Sequence, residues 1–174
     1  MKVLPRVRDI RTVSALLTRA EQESLAAGVL DPGAEHLVLA SLELPDGTAR
    51  TAFAALGHTA DGLRAALADN AADALAAVGV IGAPPMATSG PGPDSPAPHG
   101  PYRSKGSLQD LLTATRHVAN GRHEPLMSAH VLMAAADLAD GTLARALTRL
   151  GVDPAALSAA AQASAQAGVE PGSR

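Results

Sequence analysis

The stretch Ala34-Glu35-His36-Leu37-Val38-Leu39-Ala40 returns 94 residues later as Ser128-Ala129-His130-Val131-Leu132-Met133-Ala134. Over residues 36–66 against 130–160, 12 of 31 positions are identical without a gap. Chance would give roughly a tenth to a seventh in so alanine-rich a chain, so the two stretches are copies. The matched Asp46-Gly47-Thr48/Asp140-Gly141-Thr142 and Leu56-Gly57/Leu150-Gly151 say more than the alanines, because they mark helix ends.

Working outward, each copy reads as four helices. In the first, Ile10, Val13, Leu16, Leu17, Ala20 and Leu25 lie at helical spacing, and Gly28 stops that helix. Asp31-Pro32 reads as an N-cap with proline at the first helical position, opening a helix to about residue 44. Asp46 caps a third helix stopped by Gly57, and Thr59 or Asp61 starts a fourth to about residue 77, with a break expected near Asn70. In the second copy the starts fall at Ser107, at Ser128 or the Pro125 turn, at Asp140 and at Asp153-Pro154, and the stops at Asn120-Gly121 and Gly151. Between the copies, Pro, Gly and Ser dominate residues 79–106, the composition of a flexible linker. The organisation expected is repeat 1 at 1–78, linker at 79–106, repeat 2 at 107–167 and a disordered tail at 168–174, with the repeats forming one compact domain.

Composition points to the same class. Phe53 and Tyr102 are the only aromatic residues, so the core is built of Leu, Val, Ile, Met and Ala. Leucine and alanine favour helix and β-branched residues are sparse, which predicts an all-α fold. A net charge of −3 argues against a nucleic-acid partner, and Lys2, Arg6, Arg8 and Arg11 read as a solvated arm. No cysteine is present, which excludes disulfides, thiolate metal sites and a cysteine nucleophile. No apolar run reaches the ~18 residues of a membrane span. Residues 1–11 lack a signal-peptide core, so a cytoplasmic location with no membrane partner is expected.

The order of elements is a helix ending in Ala26-Ala27-Gly28, a short loop, Gly33-Ala34-Glu35-His36-Leu37-Val38, a helix ending in Leu56-Gly57, and a fourth helix. This resembles the Clp N-terminal (Clp R) repeat domain carried by the ClpA, ClpB and ClpC unfoldases. Ala20-Glu21-Gln22-Glu23 matches the family's Ala-x-x-Glu-Ala stretch in part. The resemblance covers nearly the whole chain apart from the linker and tails. It implies two four-helix repeats related by a pseudo-twofold axis, about eight helices in all. It also implies a binding function: the family's Thr-Glu-His-Leu-Leu motif supplies a glutamate that takes phosphorylated arginine in ClpC-type domains. That role carries over to Glu35, with Ala34 standing where the family has a hydroxyl residue and Ala129 where the second glutamate would be. Repeat 2 reads as one residue longer between Gly121 and His130 than repeat 1 between Gly28 and His36.

The site expectations follow. Glu35 sits in the first turn of a helix, where the positive end of the dipole favours a carboxylate able to take a guanidinium, and Ala34 stands beside it as a ligand contact. His36, His130, Gly57 and Gly151 are read as structural, the histidines bonding a loop or helix end. His117 and His123 have poor metal spacing, and His58 and His99 read as loop residues, so neither metal nor cofactor is expected. No G-x-x-x-x-G-K-[ST] cradle and no nucleophile elbow occurs, so the chain is expected to be a non-enzymatic, stand-alone recognition module. Its expected partners are protein substrates, adaptors or modified-arginine peptides of the Clp proteolysis system. Sequestration of cyclic peptides or small molecules is the alternative, and a DNA-binding regulator a third reading.

Overall fold

A computed structural model describes residues 5–77 and 106–169, which form eight α-helices and no strand among the described residues. They are α1 (Pro5–Ala26), α2 (Ala34–Leu42), α3 (Thr48–Ala55), α4 (Ala60–Ala77), α5 (Gly106–Gly121), α6 (Ser128–Ala136), α7 (Thr142–Arg149) and α8 (Pro154–Val169). The bounds of α2 and α3 reappear in α6 and α7 exactly 94 residues on, so the sequence repeat is a repeat of structure. The linker assigned to 79–106 lies outside the described residues except for Gly106, which is the first residue of α5.

Two short helices form the centre. Every residue of α2 is buried, as are all of α6 but its last, and the two pack against each other. A helix that is apolar on all sides belongs in a core, and both are built from Leu, Val, Met and Ala. Each is flanked by its own first helix, α1 on α2 and α5 on α6. The outer pairs then exchange, with α3 on α8 and α4 on α7. Leu16, Leu37, Leu63, Leu111, Leu132 and Leu157 each have about 1% of their surface exposed or less. Burial of a leucine is worth about 1.5–3 kcal/mol, so these alone outweigh any single polar contact.

The helix stops follow one geometry four times. After α1, Val29 N donates to Ser24 O (2.8 Å) and Gly28 N to Leu25 O (3.0 Å), with Gly28 at φ +71°. The ends of α3 and α7 repeat it at Gly57 (φ +81°) and Gly151 (φ +72°). After α5, Glu124 N donates to Ala119 O and His123 N to Asn120 O, both at 3.1 Å. There the left-handed residue is His123, at φ +55°. His123 is therefore the counterpart of Gly28, and repeat 2 is one residue shorter up to its motif histidine, not one longer. The Asn120-Gly121 stop falls two residues early, because any residue can close this turn at a modest cost.

Several starts also differ. Helix α1 begins at Pro5, not near residue 10, and takes in part of the basic run assigned to an arm. Asp31-Pro32 does not open α2, which starts at Ala34 behind Gly33. Ser107 lies inside α5, and its Oγ accepts from Ala34 N across the repeats (3.4 Å). Asp153 and Thr59 do cap: their oxygens accept from Ala156 N (2.8 Å) and Gly62 N (3.1 Å). There is no break at Asn70, whose Oδ1 accepts from Arg149 Nε (2.9 Å) and ties α4 to α7. Helix α8 runs two residues into the expected tail, because Gly168 packs against Thr48 and Met127.

Replacing His123 with glycine removes the left-handed strain while keeping both turn bonds. Urea unfolding should show His123→Gly more stable than the parent by about 1 kcal/mol. Gly57→Ala should be less stable by a similar amount, since its φ is unfavourable even with open space around it.

Candidate functional site

The first four N–H groups of a helix have no partner within it, and α2 and α6 start inside the core, away from water. Both solve this with the motif histidine. His36 N donates to Gly33 O (3.1 Å), and Gly33 N donates back to His36 Nδ1 (3.0 Å). His130 N donates to Met127 O (3.1 Å), and Met127 N donates to His130 Nδ1 (3.1 Å). The bond back to the N-cap N–H is the one glutamate or glutamine usually makes from the third position, here made by imidazole, while the third-position N–H turns to the N-cap carbonyl because Gly33 and Met127 carry no side-chain oxygen. An accepting Nδ1 puts the proton of the neutral ring on Nε2. In repeat 2 that Nε2 faces Glu124 Oε2 at 3.0 Å, and Arg122 Nε donates to the same oxygen at 3.2 Å. Burial pushes the Glu124 carboxyl upward, but the hydrogen bonds from His130 and Arg122 and the charge of Arg122 outweigh it and hold it below its usual range.

The two repeats part company at the first residue of these helices. In repeat 2 it is Ser128. Its N donates to Asp46 Oδ2 (2.8 Å), its Oγ donates to Asp46 Oδ1, and the same Oγ accepts from Ala49 N (3.0 Å). Thr48 Oγ1 accepts from Ala129 N (3.0 Å), and Thr48 N donates to Asp46 Oδ1 (3.1 Å). One carboxylate and two hydroxyls thus clasp the starts of α3 and α6 together. In repeat 1 the first residue is Ala34, which has no hydroxyl to offer Asp140 and Thr142. Both of those residues are exposed, and α7 has no side-chain cap.

On that unclasped side lies a cleft of about 470 Å³. Its floor and walls are Ala26, Ala27 and Val29 from the end of α1, Leu39 from α2, and Leu67, Ala68 and Ala71 from α4. Its polar groups are Glu23, Glu35, His36, Arg64 and Thr142. Arg64 is tied down: Nε and Nη2 donate to the two oxygens of Glu23 (3.1 and 2.7 Å) and Nη1 to Asp61 (2.8 Å). The bond to Glu23 leads in raising the guanidinium above its ordinary value, opposed by burial and aided by the charges of Glu23 and Asp61. With Glu43 Oε1 also 3.6 Å from Arg64, carboxylates outnumber the cation at this end of the cleft.

Glu35 is nearly buried and borders the cleft, with Oε1 3.6 Å from His36 Nδ1. Its carboxylate lies over the Cα of Gly33, where a Cβ would come within 2.6–2.8 Å of it. Glycine at 33 and glutamate at 35 therefore go together, as do Met127 and Ala129 in the other repeat. Ala34 is buried but does not line the cleft, so its nearness to Glu35 in sequence does not make it a contact surface. His130, Gly57 and Gly151 lie away from the cleft. Sequence reasoning missed Arg64 and Thr142, and it took Asp46 for a local cap only. Asp61 is the one local partner of Arg64, and nothing local marks its pairing with Glu23 of α1 or the place of Thr142 in the cleft.

Among the described residues, no group of three or more His, Asp or Glu side chains is placed to hold a metal ion. No helix among them is long and apolar enough to cross a membrane. No known protein-family model matches the chain, and no curated protein matches it.

Glu124 ties acidity to stability. Its folded carboxyl ionises at lower pH than the unfolded one, so its contribution is complete above the unfolded value of about 4.3 and disappears as pH falls through the folded value. Thermal unfolding of the parent and Glu124→Gln from pH 7 to pH 3 should show a parent advantage that holds at neutral pH and shrinks below about pH 4.3. A difference that grows on acidification would contradict this account.

Proposed function

We propose that this protein is a non-catalytic binding module of the Clp N-terminal type, and that the cleft between α1, α2 and α4 takes an arginine-bearing, partly apolar protein segment. The single observation that carries the reading is the pairing of an apolar-walled cleft with the Glu35 carboxylate at its border. A guanidinium suits such a site: it is weakly hydrated, always charged and matches a carboxylate in two parallel bonds. The excess of carboxylates around Arg64 favours a cationic ligand over an anionic one. The apolar walls would accept the neighbouring residues of an extended or helical segment. The resemblance of the two motif stretches to Clp N-terminal repeats supports an arginine-bearing ligand, with unmodified arginine preferred here, because the phosphate of phosphorylated arginine meets like charge from these carboxylates. It also makes substrates and adaptors of the Clp proteolysis system the partners to try first.

The repeats differ where binding would depend on them. Glu35 has no counterpart at Ala129, and the cleft lies beside repeat 1's motif, so one ligand per chain is the proposed stoichiometry.

Calorimetry with a peptide carrying one arginine between apolar residues, its phosphoarginine form and its alanine counterpart tests the reading. The arginine peptide should bind with a stoichiometry of one and more tightly than its phosphoarginine form. Glu35→Gln should weaken the arginine peptide by roughly tenfold to a hundredfold, the worth of a charge-assisted hydrogen bond. Equal affinity for arginine and alanine peptides would sink the proposal. Tight binding of an apolar cyclic peptide that ignores Glu35→Gln would favour the sequestering alternative.

A further inference from the structure

The internal repeat supplies a second copy of the cleft region to compare with the first, and that copy is closed. In repeat 2 the counterparts of Leu67 and Ala71 are Ala161 and Ala165, both fully buried against α6. In repeat 1 Ala71 is exposed, Leu67 is half-buried, and both line open space. The helices that close repeat 2 are the clasped ones. α3 is locked to the start of α6 through Asp46, Thr48 and Ser128, and α8 packs on both α3 and α6. In repeat 1 α4 packs on α7, but α7 is not locked to α2.

Three side-chain differences between the repeats bear on this, beside the bond that Ala34 N gives to Ser107 Oγ in place of an Asp-Gly-Thr turn. Ala34 stands where Ser128 supplies the clasping hydroxyl. Ala74 stands where α8 has Gly168, and there a Cβ would come 2.8 Å from Thr48 Cγ2 and 3.3 Å from Met127 Sδ. The methyl of Ala74 would meet the corresponding Thr142 if α4 closed as α8 does, whereas Gly33, in the place of Met127, offers no side chain to meet. Leu67 stands where the closed repeat has room only for Ala161. The Asp-Gly-Thr turns are identical in sequence, yet Gly47 takes φ 65°, ψ 0° and Gly141 takes φ 105°, ψ −178°. The first of these turns bonds Ser128, whereas Ala34 in the corresponding place has no hydroxyl, and Pro45 precedes the first turn where Ala139 precedes the second.

We infer that Ala34, Leu67 and Ala74 are positioning residues that hold the first-repeat cleft open, and that the Asp140-Gly141-Thr142 turn is an unengaged latch. Restoring the hydroxyl and removing the two obstructing side chains closes the cleft in the manner of repeat 2. The consequence for ligand entry rests on the binding function proposed above, whereas the closure itself does not.

The absence of cysteine allows a direct test with single reporter thiols in the full chain. With Ala71→Cys as reporter, alkylation should be at least about tenfold slower in the Ala34→Ser/Leu67→Ala/Ala74→Gly variant than in the reporter alone, as for a site reached only by local opening. An unchanged rate in a variant that unfolds cooperatively would overturn the inference. Should the triple variant fail to fold, the reverse exchange decides. In Ser128→Ala/Gly168→Ala, a reporter at Ala165→Cys should be alkylated about tenfold faster than without the exchange. Continued protection there would overturn the inference equally. Loss of arginine-peptide binding together with slowed alkylation would support both readings. Slowed alkylation with no peptide bound by either protein would refute the binding function and leave the latch standing.

Discussion

Burying the start of a helix leaves backbone N–H groups without water, and this protein does so twice at its centre. α2 and α6 are buried nearly all round, so neither can use solvent at its first turn. The imidazoles of His36 and His130 answer the need from within the helix, each taking the N–H three residues before it. An unpaired buried donor costs about 1–3 kcal/mol, comparable with the burial of one leucine. The packing of α1 and α5 against the central pair presupposes this solution, since a frayed first turn would carry the flanking loops away with it.

From that common base the repeats diverge through few side chains. Repeat 2 adds Glu124 and Arg122 on the far side of its histidine, and at its helix start Ser128 meets Asp46 and Thr48 of repeat 1. These groups knit the second half into a closed unit with Ala161 and Ala165 fully enclosed. Repeat 1 has Val29 in the place of Glu124 and Ala34 in the place of Ser128. It keeps apolar walls, carboxylates and open volume instead. A duplicated fold thus carries one half closed by internal contacts and one half with an open cleft.

The order of helices, the central motif and three of the four glycine-type stops were legible in the chain. Each rests on signals within a few residues: apolar spacing, an Asp or Thr at a start, a glycine at a stop. His123 was hidden because a non-glycine residue occupies the left-handed position, so the boundary was placed at the nearest glycine. Glu35 could be singled out from its place in the motif, but its surroundings could not. Glu23 and Arg64 are 41 residues apart in sequence, and neither carries a local sign of the other.

The sequence by itself determined the class of fold, the repeat and the residues at the heart of each copy, because periodicity and capping act over one or two turns. Only the tertiary structure decided what the two copies of Asp-Gly-Thr do. The first lies against Ser128 and locks two helices, whereas the second stays exposed, with Thr142 at the cleft. The partner of the first copy, Ser128, lies some 80 residues away along the chain, so signals that act over one or two turns carry no sign of the pairing.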